Sequence, residues 1–110
     1  MANFSGGFDT SPTPNASAFT ALVFTVVTAG TPVNLTALAV PDGFSAVFRA
    51  HRSNGNKIIY LANSSVNTAD PTKRVELRAG EIVQLTVDDL NLVWIDATAN
   101  ASKLEVAVEQ

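Results

Sequence analysis

"RVELRAGEIVQLTV", residues 74–87, decides how the chain is read. Val83, Leu85 and Val87 fall on one side of an extended strand, and Gln84 and Thr86 on the other. Val75 and Leu77 alternate in the same way with Arg74, Glu76 and Arg78. Such period-two alternation marks a half-buried strand. Between the two runs stands Ala79-Gly80-Glu81. Glycine accepts positive φ without a Cβ clash, so Gly80 is read as the turning residue, and Glu81 as a side chain free to bond back to the turn. The stretch therefore predicts two strands folded back on each other as a hairpin. Its polar side carries no set of groups suited to catalysis.

The same period runs through the rest of the chain. "FTALVFTVVT" (residues 19–28) places Leu22, Phe24 and Val26 on one side, and Ala29-Gly30 breaks it. "PVNLTALAV" (residues 32–40) predicts a second strand, ended by the turn Pro41-Asp42-Gly43. "FSAVFRAH" (residues 44–51) aligns Phe44, Ala46, Phe48 and Ala50. Asn54-Gly55 is the strongest short hairpin signal in the chain, and it predicts "KIIYLA" (residues 57–62) as the return strand. "NSSVNTADPTK" (residues 63–73) lacks periodicity and reads as a loop. "LVWIDA" and "KLEVAVE" predict a last hairpin around "TANAS". Trp94 lies in a run that is apolar on both sides, so it is read as core in preference to an interface or a ligand platform. No window shows a helical period with caps. About eight short strands separated by turn signals predict an all-β fold: a single small β-sandwich or jelly-roll-like barrel.

The chain has 110 residues, one domain of ordinary size. Charged residues make up 15% of it, against about 25% in typical domains. The surface is then built largely from Ser, Thr, Asn and Ala, and is less protected against association. The net charge of −3, with no basic cluster, argues against nucleic acid as a partner. There is no cysteine, which excludes disulfides, cysteine-held metal and a thiol nucleophile, and favours a reducing compartment. Residues 1–17 show neither a basic leader nor an apolar run of the kind a signal peptide needs. The most apolar run, residues 18–27, holds two threonines and is too short to span a bilayer. A soluble protein with no membrane partner is expected. Residues 1–17, rich in Gly, Ser, Pro, Thr and Asn, divide off as an extended N-terminal arm, and residues 18–110 as the β domain. Within the arm, Phe4 and Phe8 are candidate anchors on a partner surface. The plainer alternative is a solvated leader.

Groups that carry chemistry are sparse. His51 is the only histidine and has no cluster of ligands around it in sequence, so it is read as a strand-end surface or interface residue. Asp88 and Asp89 are neighbours and would point to opposite sides of a strand, so a turn role is expected rather than paired acid–base work. No nucleophile-elbow or phosphate-cradling glycine pattern occurs. No enzymatic activity, cofactor, metal or small-molecule substrate is expected.

Three segments together carry a family resemblance: "GTPVNLTALAVPDGFSAVFRAHRSNGNKIIYLA", "RVELRAGEIVQLTVDDLNLVWIDA" and "KLEVAVE". With Val40-Pro41 and Gly43, Asn54-Gly55, the run from Val75 to Leu85 and the closing segment from Leu92 to Val108, they resemble small β-structured virion proteins of tailed bacteriophages. The resemblance covers most of residues 30–109 and leaves out the arm. It implies a structural role, made in the host cytoplasm and located on the virion. The leading expectation is a capsid decoration (cement) protein on the head surface. Its partners would be the major capsid protein and copies of itself, as trimers. The alternatives are a tail, fibre or receptor-binding module, or a carbohydrate-binding β-sandwich. The resemblance supplies no catalytic residues.

Overall fold

Alternation along residues 102–109 builds the centre of the fold. Ser102, Leu104, Val106 and Val108 are buried, while Lys103, Ala107 and Glu109 face solvent. The computed structural model describes residues 19–109. Among these are eight strands: β1 (Phe19–Val26), β2 (Val33–Asn34), β3 (Ala46–Ala50), β4 (Ile58–Ala62), β5 (Val75–Arg78), β6 (Ile82–Leu85), β7 (Trp94–Ala97) and β8 (Ser102–Glu109). They form two antiparallel four-stranded sheets, in the orders β1-β8-β3-β6 and β2-β7-β4-β5. Strands β1 and β8, β2 and β7, β3 and β6, and β4 and β5 are partners. The chain is thus one long antiparallel ladder rolled up until β8 also meets β3 and β7 also meets β4. That is the topology of a jelly roll. The expected arm and its two phenylalanines, Phe4 and Phe8, lie outside the described residues.

The two sheets face each other across one core. Val26, Ala46, Phe48, Leu104, Val106 and Val108 enter it from the first sheet, and Ile59, Leu61, Leu77 and Ile95 from the second. Leu35, Val40, Leu90 and Val93, from connecting segments, close its ends. The inward sides of β1 and β3 are those that the alternation predicts: Leu22, Phe24 and Val26 on the one, and Ala46, Phe48 and Ala50 on the other.

The connections differ from the expected ones. β5 and β6 are not a hairpin: β5 pairs with β4 in one sheet, and β6 with β3 in the other. Ala79-Gly80-Glu81 is a corner between sheets. Gly80 has φ of +84° there, its N–H donates to the Ala50 carbonyl at 2.8 Å, and the Glu81 carboxylate accepts from the Arg78 N–H at 2.7 Å. The Asn54-Gly55 reversal likewise carries the chain from β3 to β4 in the opposite sheet, and "TANAS" carries it from β7 to β8. A tight reversal fixes a change of direction. It does not fix whether the next strand bonds in the same plane or crosses to the facing sheet. The one pair of consecutive strands that do bond to each other is β4 and β5, joined through the aperiodic loop of residues 63–74. The strand expected over residues 32–40 is cut to Val33–Asn34 and an isolated bridge between Ala39 and Asp89.

Candidate interaction surface

The residues singled out for chemistry serve the backbone. His51 caps a short 3-10 turn (Arg52–Asn54), and its Nδ1 accepts from the Ser53 N–H at 3.0 Å. Asp89 accepts from the N–H groups of Leu38 and Asn91, at 2.9 and 3.0 Å, which is the turn role expected of it. Asp70 closes a similar turn. The Thr72 N–H bonded to its carboxylate, helped by the Thr72 hydroxyl, holds its pKa below the ordinary value. Among the described residues, no group of three or more His, Asp or Glu is placed to hold a metal.

Two polar residues that sequence reasoning missed hold the corners together. Asn54 is buried, and its carboxamide acts as a short piece of strand against β8. Its Nδ2 donates to the Lys103 carbonyl at 2.8 Å, and its Oδ1 accepts from the Lys103 N–H at 2.9 Å. Asn54→Ala strips both bonds from a partly buried backbone unit. It is expected to cost about 1–3 kcal/mol, measured by denaturant unfolding at fixed pH. Asp96, also buried, accepts from the Gly30 N–H at 2.9 Å and pins the β1–β2 connection across β7. An acidic residue inside the apolar run "VWIDA" was the available signal for it.

Trp94 is not core. Ile95 faces inward, and Trp94 lies half-buried on the outward side of its sheet, opposite Asn34 and Ala62. Tyr60 is on the same side, and the Arg74 guanidinium covers its ring, 3.6 Å from the centroid. Arg74 is held there by the Glu76 carboxylate at 2.8 Å and the Thr68 carbonyl at 3.0 Å. The covered face of Tyr60 offers no open platform for a sugar ring.

The broad apolar surface is on the other sheet. Strand register brings the outward residues of four strands into rows. Ala21, Ala107 and Val47 form one row with Gln84, and Val23, Glu105, Arg49 and Ile82 the next. The small side chains Ala21 and Ala107, flanked by Val23, Val47 and Ile82, leave a hollow of about 310 Å³. Its polar members cancel each other, since Arg49 Nε donates to Glu105 Oε1 at 2.7 Å. That hydrogen bond lowers the Glu105 pKa from its ordinary value and raises that of Arg49. With its folded pKa depressed, Glu105 adds stability above the ordinary glutamate range and loses it as pH falls through the lowered value. A second hollow, of about 270 Å³, opens at one end of the sandwich between Leu61, Val75, Leu85, Val87 and Leu92. It forms because β5 and β6 leave the Gly80 corner into different sheets. No helix among the described residues is long and apolar enough to cross a membrane. No family model, curated protein or solved structure matches the chain.

Proposed function

We propose that the protein is a structural component of a phage virion, of the capsid-decoration type. It binds the outside of the head through the outward side of the β1-β8-β3-β6 sheet. The observation that supports this most is the hollow on that side, where Ala21, Val23, Val47, Ile82 and Ala107 surround one self-neutralised ion pair. The core of a protein-binding patch is apolar with few free charges, and here the two charges present are paired with each other. Low overall charge and the resemblance of residues 30–109 to virion proteins point the same way. Jelly rolls occur in capsid and lectin domains alike, so the fold by itself does not choose between them. The role needs no cofactor, metal or small-molecule substrate. The partners are the major capsid protein, with Phe4 and Phe8 of the arm as added anchors, and further copies of this chain.

Attachment to phage heads stripped of this protein tests the reading. Purified full-length chain is expected to co-sediment with the heads and to saturate at a copy number set by the lattice. A chain lacking residues 1–17 should melt at nearly the same temperature and attach more weakly. Saturation at only a few copies per particle would place the protein on the tail or a fibre. Failure to bind heads, with binding to a glycan array, would replace the proposal by the carbohydrate-binding reading.

A further inference from the structure

The β3–β4 corner requires an Asn-Gly pair and then shields it. Gly55 has φ of +62° at the end of the short turn, a conformation that residues with side chains rarely adopt. Asn54 supplies the carboxamide that bonds both polar groups of the Lys103 backbone, at 2.8 and 2.9 Å. Asn54-Gly55 is the only such pair in the chain. It is also the sequence in which asparagine is chemically least stable. A following glycine has no Cβ to keep its nitrogen away from the asparagine side chain, so the two can close a five-membered ring. In the folded chain that reaction is blocked at every step. The Asn54 N–H donates to the His51 carbonyl at 3.0 Å, and its carbonyl accepts from the Lys57 N–H at 3.1 Å, so main chain and side chain are both held. The Gly55 N–H is turned to the Arg52 carbonyl, at 3.5 Å. Asn54 is 3% exposed, so the water needed to finish the reaction is kept out as well.

We infer that Asn54 is a deamidation site gated by the fold, preserved while the corner is closed and modified once it opens. On opening, the Gly55 nitrogen gives up its proton and attacks Cγ of Asn54. The Cγ–Nδ2 bond breaks, and Nδ2 leaves as ammonia. The cyclic imide then takes up one water molecule. Cleavage at Cγ gives an aspartate in an unaltered backbone. Cleavage at the former peptide carbonyl gives an isoaspartate, with one more carbon in the main chain. No oxidant, reductant or cofactor enters the balance. Neither product rebuilds the corner. A carboxylate has no N–H, so one of its oxygens meets the Lys103 carbonyl, acceptor against acceptor. The isoaspartate also lengthens a three-residue turn. The corner therefore carries a one-way mark of whether the chain has opened. The Lys103 N–H donates to the same carboxamide, so its hydrogen exchange reports the same opening. The inference stands independently of the capsid reading, because it concerns the isolated chain.

Purified full-length chain held in mildly alkaline buffer, folded or in denaturant, tests it. Peptide mass spectrometry follows the exchange of amide for acid at Asn54. Deamidation is expected to be about a hundredfold or more slower in the folded chain, because it must wait for opening. Below the unfolding transition, its rate should rise with denaturant in step with exchange of the Lys103 amide. Asn56, exposed and followed by lysine, should react slowly in both states. Asn54→Asp stands in for the first product. It is expected to lower the melting temperature and to speed exchange of the Lys103 amide, or to leave the chain unfolded. The rate comparison uses the parent chain and needs no variant. Equal rates at Asn54 in the folded and denatured chain overturn the inference. So does an Asn54 that survives in denaturant for as long as Asn56. An Asn54→Asp variant with the parent's melting temperature and Lys103 protection would show that the product fits the corner, and would overturn it too.

Discussion

Phe48→Ala should destabilise the domain by about 3–5 kcal/mol, the largest effect expected of a single substitution here. Phe48 is fully buried in the middle of β3. It stands opposite Val106 on one side and Val83 on the other, so its ring joins three strands of its own sheet. It also faces the second sheet, whose Ile59, Leu61 and Ile95 belong to the same core. Truncation removes a large apolar group and leaves a cavity that rigid strands on both sides cannot close. Domains of this size are stable by about 5–15 kcal/mol in total, so the variant is expected to be near the limit of folding. Thermal and denaturant unfolding measure this directly. A drop in melting temperature of less than about 10 °C would mean that the side chain is not where the two sheets meet.

Ala107→Arg should leave the fold almost unchanged and disable attachment. Ala107 is exposed, lies on the outward side of β8 between Ala21 and Val47, and lines the hollow. Surface changes of this kind usually alter stability by no more than about 0.5 kcal/mol. If a capsid surface packs onto this side, the arginine fills the hollow and carries a charge into a contact that has no partner for it. A charge left unpaired at an interface costs about 2 kcal/mol or more, close to a thirtyfold loss of affinity. Co-sedimentation with stripped heads, alongside a melting curve, separates the two effects. Attachment at full strength would move the contact to another surface, with the apolar opening beside Leu92 next in order.

The strands and their inward sides were legible in the sequence because both are local. Alternation along residues 19–26, 44–50 and 103–108 depends only on near neighbours, and the side it marks as apolar is the buried one. The same holds for Gly80 and Glu81, whose conformation and hydrogen bond lie within one turn. Trp94 failed for a different reason. An apolar run on both sides of β7 does not tell burial in the core from partial cover on the outward side.

Which strands bond was decided only in three dimensions. β1 pairs with β8 across nearly the whole described chain, and three reversals that read as hairpins are corners between sheets. Hairpin chemistry is the same in either case. The choice is made by which apolar sides must face each other, a condition that every strand meets at once. Asn54 looked like a turn residue because its real partner, the Lys103 backbone, is 49 residues away. The candidate contact surface has the same character. Ala21, Val23, Val47, Ile82 and Ala107 are each ordinary outward residues on separate strands, and only register places them side by side. The sequence alone determined an all-β domain and the inward residues of its longer strands. Pairing, topology and the apolar outer side came from tertiary structure, because backbone hydrogen bonds between strands carry no sequence code and are assigned by packing.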